Sequence, residues 1–281
     1  MRVFECVPNV SEGLDAALLD ACVQAIENAG ATLAHRTSDG DHHRSVFTFF
    51  GTRAHVLEAA LALARVTTGR IDLRDHRGVH PRIGALDVLP FVPFGTATID
   101  DAVALAREAA STIWDALGVP SFFYGAANER GRTLPDVRAG GFEGLISRAD
   151  PFDAGDTPHP SAGAIAIGAR LPLVAFNLFL ATQDMAAGRA IARALRERDG
   201  GLRTLRVLAL RLGDGRVQIS CNLTDVAATP LHRVVGLVRK LAADAGTHVV
   251  RTELIGLVPR RALAEVAADA LGIEVNAMKT Q

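Results

Sequence analysis

Apolar side chains at Leu18, Leu19, Cys22, Ile26 and Ala29 recur every three or four positions, which predicts a helix over residues 14–29 with one buried face. Before it, residues 2–7 mix β-formers, and Pro8, Asn9, Ser11 and Gly13 break that strand and offer helix-capping groups. Residues 31–34 and 45–50 read as strands flanking a polar hairpin connection at 37–44, and residues 54–68 return to the helical period. A charged loop then leads into a strand over 84–92, a helix over 99–117 and a short strand over 121–124. A passage rich in Gly, Arg and Asp runs to about Pro160 and reads as a connector.

The pattern then restarts. It predicts a strand over 164–180, a helix over 184–198, strands over 204–212 and 216–221, a helix over 231–245 and a strand over 249–257. The order βαββαβ thus occurs twice. The expected fold is α+β, two tandem ferredoxin-like βαββαβ subdomains over residues 1–162 and 163–281, with a ligand cleft between them.

Composition narrows the function classes. Lys and Arg total 30 against 31 Asp and Glu, so no positive field exists to hold nucleic acid or an anionic membrane. The three cysteines are far apart and lack CxxC spacing, which speaks against disulfides and zinc knuckles and for a reducing compartment. The first residues, interrupted by Glu5 and Pro8, lack the apolar core of a secretory signal. The longest apolar stretch, 171–181, contains Pro172 and Asn177 and is too short to span a bilayer. The expectation is a cytoplasmic enzyme acting on small molecules.

The densest polar passage is residues 72–84. His80 precedes Pro81, which keeps its backbone extended, and lies between Gly78 and Gly84, so the imidazole is expected to be presented rather than buried. An ordinary histidine pKa of about 6.5 suits proton exchange near neutrality. An exposed charged connection is the plain alternative. The hairpin adds Asp39, Asp41, His42, His43 and Arg44, and with His76 and His80 these histidines suggest a metal-dependent hydrolase as a second reading. Adjacent His42 and His43 lack the i, i+4 spacing of common zinc sites, so no metal is expected. Asn9, Asn177 and Asn222 near strand ends serve as turn formers or ligand contacts, and Arg74, Arg77 and Arg82 carry forks that fit carboxylates.

Several long motifs occur together: CVPNVSEG at 6–13, HRSVFTF at 43–49, HRGVHPRIGALDVLPFVP at 76–93, TLPDVRAG at 133–140, PSAGAIAIGAR at 160–170, AFN at 175–177 and ELIGLVP at 253–259. In this order, nearly end to end, they resemble the glutamate formiminotransferase family. The resemblance implies transfer of a formimino group from N-formiminoglutamate to tetrahydrofolate as co-substrate, giving 5-formiminotetrahydrofolate and glutamate in histidine breakdown. It implies a homodimer of paired α/β subdomains with folate between them. No cyclodeaminase segment follows, so a separate enzyme is expected to process the product.

The resemblance also carries site residues over. The family's catalytic histidine, in its HPR(I/M)GALD motif, falls on His80. The folate-binding stretch falls on Gly155, Asp156, Thr157, Pro158, His159, Pro160, Ser161, Ala162 and Gly163. Substrate-binding candidates are Asn9, Arg44, Arg82, Asn177 and Asn222. Better-studied members place an aspartate beside the histidine where this chain has Thr37, which leaves Asp39 and Asp41 as the orienting carboxylates of the same hairpin. His43 stands where asparagine is common. A folate-binding protein without turnover is the non-enzymatic reading.

Overall fold

The computed structural model describes residues 2–40, 42–78 and 81–273, which divide into two compact units between Leu171 and Pro172. Local chemistry sets the helix ends in the first unit. Helix α1 (Ala16–Asn28) starts where the Asp15 carboxylate accepts the Leu18 N–H at 3.0 Å, and it buries Leu18, Leu19, Cys22 and Ile26. Helix α2 (Arg53–Arg70) is capped by Thr52. Helix α3 (Ile99–Leu117) opens with a reciprocal box between Thr98 and Asp101 and closes on Gly118 at φ 63°, a left-handed position that glycine takes without a Cβ clash.

Seven strands form the first sheet among the described residues: β1 (Arg2–Cys6), β2 (Asn9–Val10), β3 (Thr32–Asp39), β4 (Arg44–Gly51), β5 (Leu86–Gly95), β6 (Ser121–Gly125) and β7 (Ile165–Ala169). Both β1 and β2 lie between β4 and β5, antiparallel to each, while β3 pairs on the outer side of β4. Strand β7 joins β5 in parallel and β6 joins β7 in parallel. One face buries Phe4, Phe47, Phe49, Leu89 and Phe91 in a single cluster with apolar residues of α1, α2 and α3.

Two expectations about the middle of the chain are corrected. The passage expected as a connector forms a short helix, α4 (Leu134–Val137), and its Val137 and Leu145 pack with Ile83, Val88, Phe122, Tyr124 and Ala166 in a second core. Strands in the parallel part of a sheet are apolar on both faces, and this segment covers the second one. The stretch 164–180 is two strands rather than one. Ile165–Ala169 pairs with β5 and β6, so the division falls at Leu171 rather than after residue 162, and Pro172 lies between the two sheets' strands.

The second unit comprises β8 (Val174–Leu180), α5 (Met185–Leu195), β9 (Leu205–Arg211), β10 (Val217–Leu223), α6 (Leu231–Asp244) and β11 (Val249–Ile255), followed by α7 (Arg260–Leu271) beyond the last predicted element. Its sheet runs β11-β8-β10-β9, antiparallel throughout. Alternation sends Val174, Phe176, Leu178 and Leu180 into the core with Val217, Ile219, Cys221 and Leu223. Both units are therefore α+β, each a sheet with helices.

Candidate active site

Three segments of the first unit converge: the turn after β2, the β3–β4 hairpin and the loop between α2 and β5. Hydroxyls stitch them together. Ser11 Oγ donates to the Gly84 carbonyl at 2.7 Å, and Ser45 Oγ donates to the Glu12 carbonyl at 2.6 Å. The Ser11 N–H reaches the Ala85 carbonyl at 2.9 Å. At Gly84 the backbones close so tightly that an added Cβ would sit 2.1 Å from the Ala164 carbonyl oxygen. Gly84→Ala is expected to cost about 1–3 kcal/mol of stability by overpacking, read as a lowered thermal midpoint. An unchanged midpoint would refute that.

On this framework two imidazoles lie face to face. The His43 and His76 ring centroids are 4.3 Å apart with planes 9° off parallel. His76 Nε2 is 3.1 Å from the His43 carbonyl, which only accepts, so this nitrogen carries the proton. His76 is 6% exposed, and burial first, then the charges of His43 and Arg82, hold its pKa below the ordinary value despite the bond to the His43 carbonyl. His43 Nδ1 lies 2.8 Å from the Arg77 carbonyl and its Nε2 3.0 Å from Glu12 Oε1.

Glu12 Oε1 also accepts the Leu14 and Asp15 N–H groups at 2.7 and 3.0 Å. Partial burial pushes the Glu12 carboxyl up, but the two N–H donors and His43 outweigh it and leave the pKa lowered. The sign follows: Glu12 stabilises the fold above the ordinary carboxylate range, and that contribution fades as pH falls through the lowered value.

Beside the imidazoles lies a charged cluster. Asp87, 2% exposed, accepts the Ile83 N–H at 2.8 Å and pairs with Arg138. Arg44 is pushed down to about 10, by burial first and then by Arg138, with Asp87 and Tyr124 opposing. Arg82 donates to the Leu73 and His76 carbonyls at 3.4 and 3.2 Å and to Glu143 at 3.0 Å, so it braces the loop from within. Ser11, His42, His43, Arg44, His76, Arg82 and Asp87 line a narrow cavity of about 10 Å³, the room of roughly one water. Guanidinium groups beside imidazoles can hold a carboxylate while protons move nearby.

Of the other residues singled out from sequence, His80 and Asp41 lie outside the described residues. Asp39 accepts the His42 N–H at 2.9 Å at the exposed hairpin tip. Asn9 is 8% exposed between β4 and β5 and donates to the Val7 carbonyl at 3.0 Å.

Residues 155–163 pack on the central loop. Leu73 N–H donates to the Ser161 carbonyl at 2.9 Å, Ala85 N–H to Ala162 at 2.9 Å and Ala164 N–H to Ile83 at 3.0 Å. Within that stretch His159 Nδ1 accepts the Ala162 N–H at 3.0 Å, and burial lowers its pKa. Asn177 and Asn222 belong to the second unit, on neighbouring strands and on the sheet face opposite its apolar core. There Asn177 donates to Glu253 at 3.4 Å, while Asn222 faces Ala175 and Arg206.

Among the described residues, no three His, Cys, Asp or Glu are grouped to hold a metal ion, and no helix is long and apolar enough to cross a membrane. Stacking turns His43 and His76 face to face instead of aiming their nitrogens at one point, and both His43 nitrogens are already engaged. The sequence reading missed Glu12, Asp87 and Arg138. Asp87 left a signal, an acid inside the apolar run 83–92. Arg138, fifty-one positions away, left none.

Comparison with known proteins adds an independent line. Residues 3–170 match the family model described as formiminotransferase domain, N-terminal subdomain, and residues 175–273 match the formiminotransferase domain. The chain is 37% identical to the glutamate formimidoyltransferase of Streptococcus pyogenes serotype M1, over 97% of this chain and 94% of that one. It is 38% identical to the glutamate formimidoyltransferase of Thermoplasma acidophilum, over 95% and 91%. It is 37% identical to the formimidoyltransferase-cyclodeaminase of Rattus norvegicus, over 95% of this chain and 52% of that protein.

Proposed function

Because the chain belongs to the formiminotransferase family, we propose that it transfers a formimino group from N-formiminoglutamate to tetrahydrofolate, releasing glutamate and 5-formiminotetrahydrofolate. The observation that carries this reading is the near full-length match at 37–38% identity to two glutamate formimidoyltransferases. The folate N5 attacks the formimino carbon, the bond from that carbon to the glutamate nitrogen breaks, and the proton lost by N5 is delivered to the departing nitrogen. His80 is the group that takes and returns that proton. Arg44, beside Asp87 and Arg138, receives a substrate carboxylate, and residues 155–163 bind the folate.

The strand orders β3-β4-β1/β2-β5 and β11-β8-β10-β9 support reading both units as ferredoxin-like βαββαβ cores, the first extended by β7 and β6. The balanced charge and the absence of a membrane-crossing helix among the described residues favour a cytoplasmic enzyme, and the family resemblance a homodimer. The test is direct: purified protein with N-formiminoglutamate and tetrahydrofolate should develop the 5-formiminotetrahydrofolate spectrum with glutamate in equal amount. Tight folate binding without turnover of this donor would overturn the transferase reading.

A further inference from the structure

We propose that His43 is a positioning residue for the transfer: as the doubly protonated ring, it staples the Glu12 turn to the Arg77 carbonyl and so sets the loop from which His80 acts. The inference deepens the transferase reading and rests on it for the role of His80. Its geometry stands on three described segments.

Both ring nitrogens of His43 face oxygens that only accept: Glu12 Oε1 at 3.0 Å, an ionised carboxylate, and the Arg77 carbonyl at 2.8 Å. A neutral imidazole has one N–H and can make one of these bonds. The imidazolium makes both, one of them assisted by charge. The charge has a counterion in Glu12, whose carboxyl titrates below its ordinary range partly because of His43. The stacked His76 donates from Nε2 to the His43 carbonyl and is held toward its neutral form, so one ring of the pair carries charge and the other supplies a flat face.

Among the described residues, the other charged groups of the hairpin and the loop have partners of their own. On the hairpin, Asp39 is engaged with His42, and Arg44 belongs to the cluster around Asp87 and Arg138. On the loop, Arg77 donates to the Arg74 and His76 carbonyls, and Arg82 is paired with Glu143.

Two further observations single out His43. Its φ is 50°, in the left-handed region that asparagine and glycine enter more readily, so the ring is retained at a conformational cost. Gly78 then packs so closely that a Cβ there would lie 2.8 Å from the His42 carbonyl and 2.9 Å from His43 Cβ. The hairpin tip and the backbone two residues before His80 are thus in direct contact, and the His43 side chain fastens that contact together with the bond from His76 Nε2 to the His43 carbonyl.

Two variants test this. In Glu12→Gln the amide can donate to a neutral His43, which still donates to Arg77, so the bridge closes without charge. The His43 ring ¹⁵N resonances should then change from two protonated nitrogens to one. His43→Asn fits the left-handed backbone and keeps the fold, but cannot span both partners. Its kcat should drop about tenfold, the scale of one charge-assisted hydrogen bond, with KM changed less than about twofold. Unchanged His43 ring nitrogens in Glu12→Gln, or wild-type kcat in His43→Asn, would overturn the proposal. Absence of any transfer by the wild type would count against the assigned reaction alone, because the ring-nitrogen spectrum reads the bridge without turnover.

Discussion

His80→Ala is expected to lower kcat for formimino transfer by about 10²- to 10⁴-fold, the range supplied by a positioned general acid–base group. In the proposed role the same imidazole takes a proton from the attacking amine and gives it to the leaving glutamate nitrogen, so its loss would slow both the formation and the collapse of the tetrahedral intermediate. The residues on either side are firmly held. Arg77 is bridged through its carbonyl, Gly78 is packed against His42 and His43, and Ile83 N–H is bonded to Asp87. Removing one side chain from such a loop should leave the thermal midpoint within about 1 °C and the folate dissociation constant within a few-fold. Wild-type rates of 5-formiminotetrahydrofolate formation by the variant would eliminate His80 as the proton carrier.

Asp87→Ala should have the largest effect on stability, about 3–5 kcal/mol, because it strips the counterion from a group that cannot lose its charge. Asp87 is 2% exposed and closes two contacts at once, the Ile83 N–H and the Arg138 guanidinium, with Arg44 nearby. Without it Arg138 would be left beside Arg44 with no carboxylate to offset their repulsion, and the Ile83 N–H would be buried without an acceptor. Denaturant titration of the full chain, following the transition that includes the first unit, measures the loss. Asp87→Asn keeps the acceptor and removes the charge, so it should fall between the variant and the wild type. A loss below about 1 kcal/mol in Asp87→Ala would mean that water reaches the guanidinium groups and that the pair adds little.

The sequence by itself determined the elements whose signals are local. The spacing of Leu18, Leu19, Cys22 and Ile26 predicts the buried face of α1, because amphipathicity acts within a turn or two of chain. The motifs were sufficient to identify the family, since they are strings read along the chain. They also directed attention to residues 72–84 and 155–163, which pack together through Leu73 and Ser161.

Only the tertiary structure decided where the first sheet ends and which polar groups meet. Ile165–Ala169 reads as one apolar run with the strand that follows Pro172, and pairing with β5 and β6 assigns it to the first unit. Strand membership depends on partners distant in sequence, which no local pattern encodes. The same holds for the site. Glu12 meets His43 across thirty-one positions, His43 meets Arg77 across thirty-four and Asp87 meets Arg138 across fifty-one. A hydrogen-bonding side chain advertises its capacity in the sequence, but its partner is chosen by packing, and that choice turned an ordinary hairpin histidine into the group that spans two acceptors.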